Sequence, residues 1–336
     1  EPITEGEHVG KYRIKGQKIY ITFGEHDLTD NIIHLVLART PGAPEGTRGI
    51  SLFIVPKFHL DADGKAGAPN DVTCVSIEHK IGIHASPTCV MAYGEQGECI
   101  GEMIGGEFGG MKAMFTMMNN ARINVGSQGV QIAERATQQA SRFAMERIQS
   151  ARAGSGDKTP VAIIEHPDVR RMLLRSKALT QAARALLYYA SSSVDRATLG
   201  IEGAKARAEI LTPLIKGYGT DIGNEVASIG VQVHGGMGFI EETGAGQYFR
   251  DARIAPIYEG TNGIQAADLV GRKLGLDGGE AMIAFIAEIK AEASDDSSLM
   301  ALANACEDVR QWMASGDASI DDRLAGSYPF MTMLAT

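Results

Sequence analysis

Two short segments carry the residues best suited to chemistry. The first is Ile257-Tyr258-Glu259-Gly260-Thr261-Asn262-Gly263-Ile264-Gln265. A glutamate before a glycine is ordinarily a solvated loop residue. Here apolar Ile257 and Ile264 flank it, Gly260 permits close approach of a ligand, and Thr261 is suited to cap a following helix. A carboxylate held among apolar groups gains proton affinity, as a general base near neutral pH requires. Glu259 is therefore the candidate base.

The second segment is Gln232-Val233-His234-Gly235-Gly236-Met237-Gly238-Phe239. A glycine cluster after an apolar run is ordinarily a helix terminus. It can also let a diphosphate reach backbone N–H groups, because glycine has no Cβ in the way. The spacing is not that of a dinucleotide fingerprint, and no βαβ pattern surrounds it. His-Gly-Gly is similar to an esterase oxyanion loop, but the G-x-S-x-G elbow that such an enzyme needs is absent.

Composition narrows the function classes. The 336 residues suggest about two domains. With 44% hydrophobic and 22% charged residues, the chain has globular composition. A net charge of −9 without a basic stripe argues against nucleic acid. No apolar run reaches the roughly 18 residues of a membrane span. Cys74, Cys89, Cys99 and Cys306 form no C-x-x-C pair. Neither a disulfide framework nor a metal site is expected, and a reducing bacterial cytoplasm fits. The first residues, Glu1-Pro2, and a tail rich in Met331, Met333 and Leu334 read as the ends of a fragment.

The elements that must position these segments fall into three stretches. Residues 1–104 alternate like β-structure, with strand-like runs at 12–16, 18–22, 31–38, 49–55, 72–77 and 88–93. Asp61-Ala62-Asp63-Gly64 resembles the start of a calcium loop but lacks the remaining ligands, so a hairpin turn is expected. Residues 105–275 have helical periodicity. Helices are expected over 108–147, from Pro167 to about 199, over about 202–233 with Pro213 as a kink or boundary, and from Thr261 to near 274. A Gly/Ser/Asp-rich break separates the first two at 153–159. Residues 276–336 add helices over 280–292 and 299–314, read as an incomplete further helical domain. The expected fold is α+β and multidomain: a β-barrel or sandwich, then an antiparallel helical bundle, then the start of an extra helical domain.

Over residues 10–275 the chain resembles the flavin-dependent acyl-CoA dehydrogenases. The resemblance rests on separated motifs in the family's order: Lys18-Ile19-Tyr20-Ile21-Thr22, 119–122, Glu146-Arg147, Glu165-His166, the Gln-x-x-Gly-Gly segment and Tyr-Glu-Gly-Thr. Gly24-Glu25-His26-Asp27 and Ile77-Glu78-His79-Lys80 look most like the long bacterial branch that includes 3-methylmercaptopropionyl-CoA dehydrogenases. That branch carries an extra C-terminal helical domain.

The resemblance implies α,β-dehydrogenation of an acyl-CoA to a trans-2-enoyl-CoA, with FAD as cofactor and Glu259 as α-proton base. It implies that Asn119, Arg122 and Gly260 contact substrate. Tyr20, Ile21, Thr22, Arg147, His166, Gln232, Gly235, Gly236, Thr261 and Asn262 are implied FAD contacts, some across a subunit interface. Electron-transfer flavoprotein and a homodimer or homotetramer follow as implied partners. The sequence departs from the family pattern at Gln247, where a basic residue is usual, and lacks both the Thr-Glu-Pro-x-x-Gly-Ser-Asp strand and the N-terminal helical domain. An acyl-CoA oxidase and a non-catalytic acyl-CoA-binding scaffold are the alternatives.

Overall fold

Short β-branched runs broken by Gly, Asn and Asp fold as strands through the first hundred residues. The computed structural model describes all of residues 1–336. It contains β1 (Tyr12–Arg13), β2 (Gly16–Thr22), β3 (Ile33–Arg39), β4 (Ile50–Pro56), β5 (Phe58–Leu60), β6 (Ala66–Pro69), β7 (Val72–Ile77), β8 (Thr88–Tyr93) and β9 (Ile100–Ile104). One antiparallel sheet has the order β1-β9-β4-β3, and another the order β2-β8-β7. Val36, Phe53 and Val55 from the first sheet and Val72, Cys89 and Met91 from the second share one buried cluster. That is the arrangement of a sandwich. β5 and β6 form a separate hairpin. At its turn Asp61 Oδ1 accepts the N–H groups of Asp63 and Lys65, each at 2.9 Å. The carboxylate thus organises the turn expected there.

The remainder is almost wholly helical: α1 (Gly110–Glu146), α2 (Pro167–Thr198), α3 (Ala204–His234), α4 (Ala245–Ala252), α5 (Asn262–Asp268), α6 (Glu280–Glu292), α7 (Ser297–Ala314) and α8 (Ile320–Ala335). Pro167 occupies the first turn of α2, where its missing N–H costs nothing. α3 runs through Pro213 without ending. α5 continues into a π-helical turn, Leu269–Lys273, so the helical stretch ends close to the expected position. A hairpin of β10 (Ile148–Ala151) and β11 (Pro160–Ala162) frames the Gly/Ser/Asp-rich break. That pairing, β9, α4 and α8 were not anticipated.

The chain divides into two compact units, Glu1–Met118 and Asn119–Thr336, with the boundary inside α1. In the second unit α1 and α3 meet backbone to backbone. A Cβ added to Gly129 would lie 2.2 Å from the Gly219 carbonyl oxygen, and one added to Gly223 would lie 2.8 Å from that of Gly129. The helices beyond residue 276 share this unit's core: Phe330, Met331 and Leu334 of α8 lie in the same buried cluster as Leu211 and Leu214 of α3.

Candidate active site

The Glu259 loop is built around the start of α5. Thr261 caps the helix, its Oγ1 accepting the Ile264 N–H at 3.3 Å. The Asn262 N–H donates to the Pro256 carbonyl at 3.0 Å and closes the loop at its base. From inside, the fully buried Gln265 donates Nε2–H to the carbonyls of Glu259 (3.2 Å) and Gly260 (3.4 Å). Tyr258 donates its hydroxyl to Gln128 of α1.

Glu259 and Gly260 both lie in the left-handed region, at φ +56° and +84°. For glutamate this costs roughly 1–2 kcal/mol, a strain that persists only where the surroundings impose it. At 260 the positive φ demands glycine, and an added Cβ would also lie 2.7 Å from Gln265 Nε2. The Glu259 side chain is half-buried, and its carboxylate has no hydrogen-bond or ion-pair partner within the chain. The apolar flanks expected from the sequence do not enclose it: Ile257 and Ile264 are 47% and 55% exposed. The buried groups beside this loop are polar, Gln265 and Arg122.

Arg122 is buried near the loop, with a guanidinium nitrogen 4.0 Å from where a Cβ on Gly260 would stand. Its Nη1 lies 3.7 Å from Asp268 Oδ2, and Asp268 is also held by Arg272. Burial pushes the guanidinium's pKa down; Asp268 and, to a smaller degree, Glu259 oppose it. Arginine stays protonated regardless, so a fixed positive charge stands beside Gly260.

Asn262 faces inward. Its Oδ1 accepts from Lys216 Nζ at 2.9 Å, and its Nδ2 donates to the Gly217 carbonyl (3.1 Å), Thr220 Oγ1 (3.0 Å) and Asp221 Oδ1 (2.9 Å). The other Asp221 oxygen accepts the hydroxyl of Tyr328 from α8. Burial draws the Lys216 ammonium down to about 8, although Asp221 pulls it up. Burial raises the Asp221 carboxyl. Tyr328 is pushed up to about 12, by burial first and then by Asp221.

A second group of candidates gathers elsewhere in this unit. Arg147, His166, Gly235 and Gly236 line a cleft of about 630 Å³. Gly235, at φ +60°, ends α3 by donating its N–H to the Gln232 carbonyl. A Cβ at Gly235 or Gly236 would meet nothing within 4 Å, so this backbone is bare toward the cleft. His166 Nε2 lies 2.8 Å from the Gln149 carbonyl oxygen. Gln232 is exposed and does not line this cleft, and Asn119 is exposed on α1.

In the first unit, the β2–β8 pairing shifts register between Lys18 and Ile21. Tyr20 sits in that bulge at φ +60° and is 69% exposed. Ile21 and Thr22 line a cavity of about 370 Å³ together with His34 and Tyr93.

Gln265, Asp268, Lys216, Asp221 and Tyr328 were not singled out from sequence. A signal existed for some. Gln265 and Asp268 follow Thr261 at four and seven residues, one helical face. Lys216 is a lone charge in the apolar run 210–218. Tyr328 had none.

Residues 109–274 match the family described as acyl-CoA dehydrogenase, C-terminal domain. A 3-methylmercaptopropionyl-CoA dehydrogenase of Ruegeria pomeroyi is 49% identical, over 96% of this chain and 57% of its own length. A butyryl-CoA dehydrogenase of Syntrophomonas wolfei is 45% identical, over 83% of this chain and 48% of its own. The chain thus spans about half the length of the curated relatives it matches. Among solved structures, an acyl-CoA dehydrogenase from Bacillus anthracis complexed with FAD superposes with a TM-score of 0.73 at 21% identity, over 97% of this chain and 55% of that one. That likeness is one of fold.

Proposed function

Because the chain belongs to the acyl-CoA dehydrogenase family, we propose that it serves the FAD-dependent α,β-dehydrogenation of an acyl-CoA thioester to a trans-2-enoyl-CoA, with Glu259 as the base that takes the α-proton. One observation carries the assignment. Glu259 presents a carboxylate without a partner, on a loop tied down at Pro256, Tyr258 and its own carbonyl. A base so held has no internal bond to break before it meets the substrate.

The same loop offers a donor for the charge that develops. The Glu259 N–H makes no hydrogen bond within the chain. Directed at the thioester oxygen, one such preorganised donor is worth about 3 kcal/mol of transition-state stabilisation. Gly260 is the proposed substrate contact on this loop, and the buried Arg122 adds positive charge beside it. Asn119 completes the substrate contacts proposed.

The family is FAD-dependent, and bound FAD supplies the hydride acceptor, at its N5. The chain's own residues suit it. The cleft with Arg147, His166 and the bare backbone of Gly235-Gly236 fits a diphosphate. Tyr20, Ile21 and Thr22 present an aromatic ring, an apolar side chain and a hydroxyl for the flavin ring. Near the base, Thr261 is exposed, whereas the Asn262 side chain is fully taken up inside. A ligand contact at that point therefore falls to Thr261. Gln232, Arg147 and His166 would meet the cofactor in a homodimer or homotetramer. Electron-transfer flavoprotein as acceptor, a cytoplasmic setting and a role in fatty-acid β-oxidation complete the reading. No helix is long and apolar enough to cross a membrane.

The partnerless Glu259 carboxylate disfavours a non-catalytic scaffold, which has no need of a base there. In the FAD-loaded enzyme, Glu259→Gln should slow bleaching of the flavin by acyl-CoA about 10²–10⁴-fold while FAD stays bound. Bleaching at the wild-type rate would overturn the assignment. Reoxidation by electron-transfer flavoprotein compared with oxygen separates a dehydrogenase from an oxidase.

A further inference from the structure

We infer that Tyr328 of α8 is a positioning residue for the Glu259 loop, acting through Asp221 and Asn262. The part that concerns Glu259 as base rests on the function proposed above; the mechanical part does not.

The connection is a short chain of bonds with a direction. The Asn262 N–H closes the loop on the Pro256 carbonyl, so the placement of residue 262 fixes where the loop begins and ends. Asn262 cannot shift without breaking its side-chain bonds to Lys216, Gly217, Thr220 and Asp221, all on α3. Of these partners only Asp221 is itself held from outside α3 and α5. Its Oδ1 accepts from Asn262 and its Oδ2 from Tyr328. The tyrosine hydroxyl thus aims the carboxylate, and the carboxylate aims Asn262.

This bond does not hold α8 in place. Phe330, Met331 and Leu334 do that from within the core. Gly217 lets the helix come close: a Cβ there would lie 2.4 Å from the end of the Met331 side chain. Tyr328→Phe keeps the ring and its packing and removes only the hydroxyl. What the hydroxyl contributes is an orientation. α8 also lies beyond residues 109–274, the stretch that matches the family domain. The region after residue 276 would then be coupled to the active-site loop.

Removing the hydroxyl tests this. Tyr328→Phe should speed amide hydrogen exchange at Asn262, and across 256–265, about tenfold, the scale of a lost hydrogen bond to a charged group. Exchange in α2 should not change. Asp221→Asn provides a second variant with the same expectation. In the FAD-loaded enzyme, Tyr328→Phe should lower kcat several-fold, more than it raises the acyl-CoA Kd, since the base works from this loop while Asn119 and Arg122 would hold substrate from α1. Unchanged exchange over 256–265 in both variants would overturn the inference. So would equal loosening of α2, which would mark a general loss of stability. If Glu259→Gln retained normal bleaching, the proposed function would fall while the exchange result stood.

Discussion

Arg122 Nη1 stands 3.7 Å from Asp268 Oδ2, and the two side chains are only 8% and 5% exposed. Taking both charges out of water is costly, so the pair is worth most as mutual insurance. Arg122 Nε and Asp268 Oδ2 also make no hydrogen bond, which leaves the arginine dependent chiefly on the Asp268 charge. Asp268→Ala would leave a buried guanidinium without its nearest opposing charge, with only the weaker influence of Glu259 remaining. A loss of about 3–5 kcal/mol is expected in urea unfolding of the second unit. Arg272 shares the same carboxylate but is 55% exposed, so it can return to water. The double variant Arg122→Met, Asp268→Leu should cost less than Asp268→Ala alone; a larger, additive loss would contradict this account.

The α1–α3 crossing supplies the platform for this site, since Arg122 and Gln128 lie on α1 and Lys216 and Asp221 on α3. Gly129→Ala would set a methyl 2.2 Å from the Gly219 carbonyl oxygen, and backbone cannot swing aside as a side chain can. Overpacking of this kind costs about 1–3 kcal/mol, and a backbone obstacle belongs at the upper end. Gly271→Ala is the control. Nothing lies within 4 Å of the added atom, so it should be neutral or slightly stabilising. Thermal melts of both variants provide the comparison.

Local chemistry is what the sequence made legible. Pro167 opening α2, Gly235 closing α3 and Thr261 capping α5 each act through a bond or a backbone angle within a few residues, so residue type alone points to them. Unit-scale pairing was not visible in the same way. β10 and β11 carry almost no buried residues and exist because their ends are brought together around a turn. α8 has a Ser319 cap and acidic residues in its first turn, but Pro329 inside it masks the helical pattern. The site divides along the same line. Glu259 stands out by its neighbours in sequence. The Asp221–Tyr328 bond joins residues 107 apart, and only the folded chain reveals it. The expected apolar shelter for Glu259 was misleading for a related reason: the left-handed turn at Glu259 and Gly260 leaves both flanking isoleucines largely exposed.

That turn sets function against stability at one residue. Glu259 is strained at its φ of +56°, and glycine would not be. Relief of roughly 1–2 kcal/mol is offset in part by the greater freedom of glycine in the unfolded chain, about 0.5–1 kcal/mol. Glu259→Gly should therefore be modestly more stable than the wild type in urea unfolding, and Glu259→Gln should not. A Glu259→Gly variant less stable than Glu259→Gln would show that the backbone there is not strained.

Lys216 gives the second unit a pH signature. Its pKa is about 8 when folded against an ordinary lysine value of 10.5, so between these limits the unfolded chain holds a proton that the folded chain has released. Stability then rises with pH across that window and carries a penalty below it. A tenfold difference in proton affinity between the two states corresponds to about 1.4 kcal/mol. Tyr328 acts with the opposite sign: folded at about 12 against 10, it keeps a proton that the unfolded chain loses, and stability falls as pH climbs from 10 to 12. The charged groups around Lys216 are Asp221, Arg122 and Glu259. Burial raises the Asp221 carboxyl, and both wild type and Lys216→Met keep that group. Groups in the first unit contribute equally to wild type and variant. Urea unfolding of wild type and Lys216→Met between pH 7 and 10 isolates the lysine by difference. The stability gap should move in favour of the wild type as pH rises through 8. A gap that is flat over that range would mean that Lys216 keeps its proton inside the fold.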